Sequence, residues 1–288
     1  MQEFADKTGF ITGGASGIGF ALGRAFLEAG MRVVLADVEA PALERAKERL
    51  GGFGGRVMTV RCDVTDRASV AAARDAAIAA FGNIHVLCNN AGVGTGGRID
   101  TVPPAAWSWL MGVNLMGVIH GLGEFVPHMK GHGEAGHIVN TGSMAGMNGF
   151  RGMGPYCASK AAVVSLTESL AAELAGTALG ASVLCPGAVN TEFYESRRNA
   201  PDAVPPPPAN SREGRAAAAG VKLTMEHGIP PTEAAARVLA GIRDGDLYIF
   251  THPEMRSMVD DRYARLGAAF DKAAAFRAPC PGLEQGDC

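Results

Sequence analysis

The sequence predicts an α/β fold, organised as a doubly wound parallel sheet of about seven strands with helices on both faces. Short apolar runs rich in β-branched residues alternate with longer segments rich in Ala, Leu, Glu and Arg. A glycine-rich turn separates the first apolar run from the first helical segment. Of the 288 residues, 47% are hydrophobic and 19% are charged, which is typical of a globular chain with a substantial core.

The predicted elements alternate regularly along the chain. The strands are GFIT (9–12), RVVLAD (32–37), RVMTVRCD (56–63), IHVLCNN (84–90), GHIVNTGS (136–143), ASVLCPG (181–187) and DLYIF (246–250). The helices between them are expected near 17–29, 40–50, 67–81, 104–129, 155–174 and 232–242. This order indicates a single Rossmann-type domain over 1–288 that binds a dinucleotide and performs catalysis.

Two segments depart from the alternation. Four consecutive prolines, 205–208, favour extended structure and could mark a linker between domains. Only one further helix and strand follow them, which is too little for an independent domain. We therefore predict a substrate lid insertion over 190–228 and a C-terminal extension over 252–288.

Charge and hydropathy narrow the partners. The formal net charge is −3 without long like-charge runs, which argues against nucleic-acid and membrane-surface partners. Neither a signal peptide nor an apolar run of about 18 residues is visible, so a cytoplasmic protein acting on a small molecule is expected. Cys62, Cys88 and Cys185 each end an apolar run and are predicted to be reduced and buried, whereas a bridge between Cys280 and Cys288 is disfavoured.

The turn TGGASGIG, residues 12–19, lies where a ligand phosphate would meet the N-terminus of the first helix. Gly13, Gly17 and Gly19 permit a tight turn and close approach of the backbone to a pyrophosphate. Any tight strand-to-helix turn can use glycine, so the turn alone does not decide the matter. Asp37 ends the second strand 20 residues after Gly17, where a carboxylate can bind both ribose hydroxyls of an adenosine.

This carboxylate would repel a 2′-phosphate, and no Lys or Arg lies within the turn, so NAD is predicted rather than NADP. The alternative is that Asp37 is an ordinary turn residue.

Tyr156 and Lys160 stand four residues apart on a predicted helix and share one face. A lysine ammonium in a partly desolvated cleft lowers the pKa of a phenol, and about 3 to 4 kcal/mol brings it from about 10 to near 7 or 8. Such a pair also occurs by chance on surface helices. Ser143, 13 residues before Tyr156, ends a strand that opens onto the ligand crevice and could hold a substrate oxygen. Asn114 lies among apolar residues and would need a partner if buried, which a water relay to Lys160 could supply.

Together these motifs resemble the short-chain dehydrogenase/reductase family from about residue 7 to residue 250. The matching stretches are TGGASGIG, CDV with Asp63, NNAG (89–92), Asn114, Ser143, YCASK and PGAVNT (186–191). The resemblance implies a catalytic tetrad of Asn114, Ser143, Tyr156 and Lys160, and a homodimer or homotetramer. It also implies that the coenzyme contacts Gly13, Ser16, Gly17, Ile18, Gly19, Asp37, Asp63, Val64, Asn90, Ala91, Gly92, Tyr156, Lys160, Pro186, Gly187, Val189 and Thr191.

Within that family, the segment between Ser143 and Tyr156 lies beside the substrate. Here it contains three methionines and a phenylalanine, which suit an aromatic substrate or serve as ordinary packing: Met144, Met147, Phe150 and Met153. In the lid, the residues RRN (197–199) could meet a polar substrate tail. The C-terminal stretch resembles a bacterial subgroup that includes the Cα-dehydrogenases of lignin aryl-ether breakdown, which oxidise a benzylic secondary alcohol with NAD.

Other functions stay open from the sequence alone. The substrate could be a steroid or an aliphatic secondary alcohol, and a carbonyl reductase would use the same tetrad with NADPH. A non-catalytic NAD sensor would have little use for Ser143, Tyr156 and Lys160 together. A metal hydrolase built on His128, His132 and His137 is disfavoured, because their loop is rich in glycine and has one nearby acid; no metal is predicted.

Overall fold

The computed structural model describes residues 1–94, 96–205, 220 and 222–276. These form two compact units, Met1–Thr251 and His252–Cys288. The second unit starts where the C-terminal extension was predicted. Most of the predicted lid after residue 205, with part of the proline run, lies outside the described residues, as do Cys280 and Cys288.

The first unit contains a sheet of seven parallel strands in the order β3-β2-β1-β4-β5-β6-β7. The strands are β1 (Thr8–Thr12), β2 (Arg32–Asp37), β3 (Val57–Arg61), β4 (Val86–Asn89), β5 (Gly136–Thr141), β6 (Leu179–Cys185) and β7 (Tyr248–Phe250). All seven coincide with predicted runs, so the predicted fold class is confirmed.

Helices connect the strands and cover the sheet on both sides. They are α1 (Gly17–Glu28), α2 (Ala40–Arg49), α3 (Arg67–Phe81), α4 (Pro104–Met111), α5 (Gly117–His132), α6 (Met144–Met147), α7 (Gly154–Leu174) and α8 (Pro231–Asp244). The short helix α6 was not predicted, because four residues are too few to show helical periodicity. A 3₁₀ helix, Glu192–Asn199, begins the predicted lid and is called the lid helix below.

Alternate strand residues supply the two halves of the core, as the period of two in a strand requires. Ile11 packs with α1, α2 and α8 on one face, in a cluster that includes Phe26, Leu43 and Val238. Phe10, its neighbour, packs with α3, α5 and α7 on the other face, in a cluster that includes Val70, Phe125 and Leu170. Both faces are therefore sealed, and the sheet exposes its strand ends to ligands.

Helices α4 and α5 are joined by one π-helical segment, Gly112–Met116. In the described part of the chain, the resulting 29-residue helix, Pro104–His132, is the one long and apolar enough to cross a membrane, with a mean hydropathy of 1.2. Half of its apolar window is buried inside the protein. Its α5 half packs against the sheet through Phe125 and Met129, as a core helix does.

The second unit consists, in its described part, of a 3₁₀ turn (Pro253–Met255) and helix α9 (Arg256–Ala275). None of the α9 residues is buried, and three of its large apolar side chains, Tyr263, Leu266 and Phe270, are exposed.

Candidate active site

The carboxyl ends of the parallel strands bring the predicted site residues to one edge of the sheet. Five strands stand side by side in the sheet, in the order β2-β1-β4-β5-β6, so the loops that follow them share this edge. These loops hold the glycine-rich turn, Asp37, the NNAG segment, Ser143 and the PGAVNT segment. Five stretches that are far apart in sequence thus border one crevice.

The glycine-rich turn is compact. Gly13 and Gly17 have φ of 63° and 52°, in the left-handed region that favours glycine. A Cβ on Gly19 would lie 2.1 Å from the carbonyl oxygen of Gly13, so helix α1 can pack onto the turn only without that side chain. Ser16 precedes α1 and makes no side-chain cap to it. Ile18 packs onto the core beneath.

Asp37 holds the adjacent loop together. Its Oδ2 accepts a hydrogen bond from the Ala15 N–H at 3.1 Å, and its Oδ1 accepts one from the Glu39 N–H at 3.2 Å. Burial raises the pKa of Asp37 above its ordinary value, although both backbone hydrogen bonds act in the opposite direction. After the next strand, the Asp63 carboxylate accepts hydrogen bonds from Thr65, and Val64 is buried against Gly117.

The NNAG segment braces the glycine turn. Asn90 donates from Nδ2 to the carbonyl oxygens of Thr12 and Gly13, at 3.1 and 3.3 Å. The backbone N–H groups of Asn90 and Ala91 both donate to Thr12 Oγ1. A Cβ on Gly92 would lie 3.5 Å from Lys160 Nζ and 3.6 Å from Asn114 Oδ1, so both atoms border the space that this glycine leaves open.

The PGAVNT segment closes the opposite side. The Pro186 carbonyl accepts from the Met144 N–H at 3.0 Å, and the Gly187 N–H donates to Thr251 Oγ1. Val189 is buried and pairs with Ile229. Thr191 caps the lid helix, and its Cγ2 lies 3.1 Å from the Cβ position of Gly17.

Ser143, Tyr156 and Lys160 come together beneath this crevice. Ser143 Oγ accepts from the Ala145 N–H at 3.0 Å, which leaves its own proton for the hydrogen bond with the Tyr156 phenol. Lys160 Nζ donates to the Thr141 carbonyl at 2.7 Å and lies 5.8 Å from the centre of the Tyr156 ring. Tyr156 and Lys160 are buried, with 9% and 3% of their surface exposed, so neither is a chance surface residue.

Burial dominates the electrostatics of this pair. It raises the pKa of Tyr156 to about 12, although the hydrogen bond with Ser143 acts against it. It lowers the pKa of Lys160 to about 8, so the ammonium is still charged at pH 7. This differs from the prediction that Lys160 lowers the pKa of the phenol. In the protein alone, desolvation of the phenolate outweighs that attraction.

Asn114 lies in the π-helical segment and is fully buried. Its Oδ1 accepts from the Val93 N–H at 2.8 Å, and its Nδ2 donates to the Val93 carbonyl and to Ser159 Oγ. The partner that Asn114 was predicted to need is thus chiefly the backbone of Val93, the residue that follows the NNAG segment. The π-helical geometry of the segment that holds Asn114 is frequent at functional sites.

An apolar cluster surrounds the phenol. Buried Leu110 and Ala145 pack against Tyr156, and the partly buried side chains around them are Met111, Phe150, Met153, Cys157 and Phe193. Of the segment predicted beside the substrate, Phe150 and Met153 belong to this cluster, whereas Met144 and Met147 are buried.

The structure shows which groups are bound by the RRN residues of the lid and by the three histidines considered as metal ligands. Arg197 donates to the Val204 carbonyl, and Arg198 and Asn199 bind Glu39, so these side chains hold the lid helix instead of presenting a polar surface for a substrate tail. His128 Nε2 accepts a hydrogen bond from the Ile84 N–H, and His132 Nε2 donates one to the Ile84 carbonyl. His137 instead pairs with Ser182.

Sequence reasoning missed several residues. The Phe193 ring centre is 5.6 Å from that of Tyr156, and Ser196 accepts a hydrogen bond from the Gly94 N–H. Glu39 binds the end of the lid helix. These residues belong to no motif of the resemblance, and the side chains they meet are distant in sequence. Two of them lie close in sequence to predicted site residues, since Glu39 is two positions after Asp37 and Phe193 is two positions after Thr191.

Comparisons with known proteins agree with this geometry. Residues 7–202 match the family model described as "short chain dehydrogenase". The C alpha-dehydrogenase of Sphingobium sp. (strain NBRC 103272 / SYK-6) is 35% identical over 286 residues, 99% of this chain and 92% of that protein. The 3beta-hydroxysteroid dehydrogenase 2 of Eggerthella lenta is 38% identical over 195 residues, 66% of this chain and 73% of that protein.

Among solved structures, a short chain dehydrogenase/reductase from Burkholderia phymatum in complex with NAD superposes with a TM-score of 0.90. It is 40% identical in sequence, and the match covers 98% of this chain and 99% of that one.

Proposed function

The chain belongs to the short-chain dehydrogenase family, and we propose that it is an NAD-dependent enzyme that interconverts an aryl secondary alcohol and its ketone. The observation that carries the proposal is the buried group of Ser143, Tyr156 and Lys160 beside an apolar cluster with aromatic and methionine side chains. The candidate substrate is the Cα benzylic alcohol of a lignin β-aryl ether.

The crevice suits a dinucleotide. Helix α1 begins without a side-chain cap at Ser16, so the N–H groups of its first turn are free to bind a pyrophosphate. The Asp37 carboxylate would bind the adenosine ribose and repel a 2′-phosphate, with Asp63 and Val64 beside the adenine. The central part of the coenzyme would be lined by Asn90, Ala91 and Gly92. The nicotinamide end would meet residues of the PGAVNT segment, namely Pro186, Gly187, Val189 and Thr191. When bound, NAD supplies the acceptor for the hydride that leaves the alcohol carbon and a positive charge beside the phenol.

In the proposed reaction, Tyr156 removes the proton of the substrate hydroxyl while Ser143 holds the same oxygen. Bringing the phenol from a pKa of about 12 to near 7.5 requires roughly 6 kcal/mol at about 1.4 kcal/mol per unit. Lys160 is already in place in the protein to which this value applies, so the positive charge of the bound coenzyme would have to supply the shift.

The proton then has to leave the buried phenol. Lys160 Nζ and Asn114 Oδ1 border the same space beside Gly92. The proton of the phenol would pass through Lys160 to a water molecule in that space and from that water to solvent. Asn114 would hold this water as a hydrogen-bond partner of its Oδ1, because the hydrogen bonds with Val93 fix the position of the amide.

The aryl preference rests on the cluster around Tyr156 and on the Sphingobium relative. Phe150, Phe193 and Met153 offer flat and polarisable surfaces, and methionine sulfur interacts favourably with aromatic rings. The Eggerthella lenta relative supports a second candidate, the oxidation of a steroid alcohol, because a rigid apolar substrate would suit the same cluster.

We also propose that the enzyme is a cytoplasmic homodimer or homotetramer. The exposed apolar side chains of α9, at positions 263, 266 and 270, are spaced along one side of a helix and suit contact with another subunit. Free, buried cysteines at positions 62, 88 and 185 are compatible with a reducing compartment.

A substrate panel tests the proposed function. Purified protein is incubated with NAD, or with NADP in parallel, and a set of secondary alcohols that includes both enantiomers of aryl-ether models. We expect NADH to form with the benzylic aryl ethers and a clear preference for NAD. Activity confined to steroids or aliphatic alcohols would refute the aryl assignment, and a preference for NADP would refute the role of Asp37.

A further inference from the structure

The lid helix is attached to the catalytic end of the crevice. The Phe193 ring, near its start, lies against Tyr156 at 5.6 Å between ring centres and leaves no room for a Cβ on Gly94. One turn later, the buried Ser196 hydroxyl accepts a hydrogen bond from the Gly94 N–H at 2.9 Å. The position of Phe193 over the phenol therefore depends on how the whole lid helix is held.

The other end of the lid helix is attached to the adenosine end of the crevice. Arg198 forms a forked ion pair with Glu39, with Nε 3.2 Å from Oε2 and Nη2 2.7 Å from Oε1. Asn199 donates from Nδ2 to the same Oε1 at 2.7 Å. Burial alone would raise the pKa of Glu39, yet the hydrogen bonds from Arg198 and Asn199 lower it below its ordinary value.

Glu39 itself is fixed by its neighbours. It precedes helix α2, and its backbone N–H donates to Asp37 Oδ1. Its side chain is 24% exposed, less than the side chains in most of the surface ion pairs of this protein. Single exposed ion pairs contribute little, but a forked pair with a third hydrogen bond on a partly buried carboxylate is a stronger attachment.

We infer that Glu39 is a positioning residue for the substrate site: through Arg198 and Asn199 it anchors the lid helix, so that Phe193 stays against Tyr156 and forms one wall for the bound alcohol. The inference rests on the proposed function in one respect, namely that the alcohol binds beside Tyr156. Glu39 acts at a distance, since it binds the far end of the lid helix and not the reacting atoms.

The test uses the full-length protein and four variants. Glu39→Gln and Arg198→Gln each break the ion pair, and the double variant combines them. Glu48→Gln is the matched control, because it removes an equal charge from an exposed position near the other end of helix α2. For each protein we measure kcat and KM for the alcohol, the Kd of NAD, and hydrogen exchange of the peptide that covers residues 191–199.

We expect Glu39→Gln and Arg198→Gln each to raise the KM for the alcohol about three- to tenfold and to accelerate exchange in the lid helix, while the Kd of NAD changes by less than about twofold. The double variant should be no worse than the stronger single variant, because both remove the same contact. Glu48→Gln should behave as the wild type.

Three results would overturn the inference: unchanged KM and exchange in both single variants, effects that multiply in the double variant, or a loss of NAD affinity as large as the rise in KM. Exchange is measured without any alcohol. If the substrate panel fails, this readout still decides whether Glu39 holds the lid helix, so the two failures are distinguishable.

Discussion

At the scale of single residues, the proposed chemistry depends on the protonation state of one phenol, that of Tyr156. Tyr156 is buried, and that burial raises its pKa to about 12, while the nearby Lys160 keeps its charge at pH 7. A base so strongly protonated in the free protein would be activated only when a further positive charge arrives. The site would therefore be idle until the coenzyme is bound.

Tyr156→Phe tests this role. The substitution removes the phenol oxygen and keeps the ring that packs against Phe193, so the fold and NAD binding should be retained. We expect turnover to fall by about 10²- to 10⁴-fold or more, as for loss of a general base. Steady-state kinetics and NAD titration measure both quantities. Tyr248→Phe, which removes the same atom from an exposed tyrosine, is the control, and wild-type turnover in Tyr156→Phe would disprove the assignment.

At the scale of elements, close packing of helix on sheet positions the loops of the candidate site. Helix α5 approaches β4 at Gly121, where a Cβ would lie 2.1 Å from Asn89 Oδ1. Asn89 cannot easily move away, because it is buried and its Nδ2 donates to Asn140 Oδ1 on β5 at 2.9 Å. This contact involves the first residue of the NNAG segment and the helix that directly follows the π-helical segment with Asn114.

Gly121→Ala should therefore destabilise the protein by about 1 to 3 kcal/mol, because the added methyl group overpacks the helix–sheet contact. Gly131→Ala is a matched control in the same helix, since a Cβ there meets nothing within 4 Å. That variant should be neutral or more stable by about 0.5 to 1 kcal/mol, as alanine is favoured over glycine within helices. Denaturant unfolding measures both changes, and equal effects in the two variants would contradict the packing argument.

At the scale of the whole molecule, the two ends of the strands differ: the candidate site lies at the carboxyl ends, whereas the amino ends hold side chains that stabilise the fold. The amino ends of the strands hold several histidines that bind inside the protein. His85 accepts from the Thr8 N–H through Nδ1, and His137 pairs with Ser182. Burial lowers the pKa of both, that of His137 to about 4, and the N-terminal ammonium adds to the effect at His137.

This predicts acid sensitivity with a definite sign. Between pH 6.5 and 4 the unfolded chain binds a proton at His137 that the folded protein does not. The neutral His137 therefore contributes its full stabilisation above pH 6.5, and the free energy of unfolding falls as the pH is lowered toward 4. A difference of about 2.5 pKa units corresponds to about 3 kcal/mol. His85 contributes in the same direction.

His137→Gln retains a donor to Ser182 and removes the titration. Urea unfolding at several pH values from 7.5 to 4.5 should show that the stability difference between wild type and variant narrows by about 2 to 3 kcal/mol as the pH falls. His227→Gln, at an exposed histidine, should follow the wild type at every pH. Parallel curves for wild type and His137→Gln would disprove the prediction.

Local patterns in the sequence were sufficient for the fold and the family. Strands such as RVVLAD and IHVLCNN and the turn TGGASGIG are short stretches whose hydropathy and glycine spacing reflect their own backbone geometry. The structure and the comparisons confirm both predictions. The glycine-rich turn, Asp37, the NNAG segment and Ser143 lie at one edge of the sheet because parallel strands place their carboxyl ends together, which follows from the fold class alone.

The tertiary structure decided what depends on distant residues and on burial. Glu39 and Arg198 are 159 positions apart, and no local pattern pairs them. Phe193 meets Tyr156 only because the lid helix folds back over the crevice. The pKa of the phenol rises instead of falling because desolvation is set by every atom packed around it. The sequence by itself determined which residues are available for chemistry, and only the packed molecule decided their neighbours, their hydration and therefore their protonation.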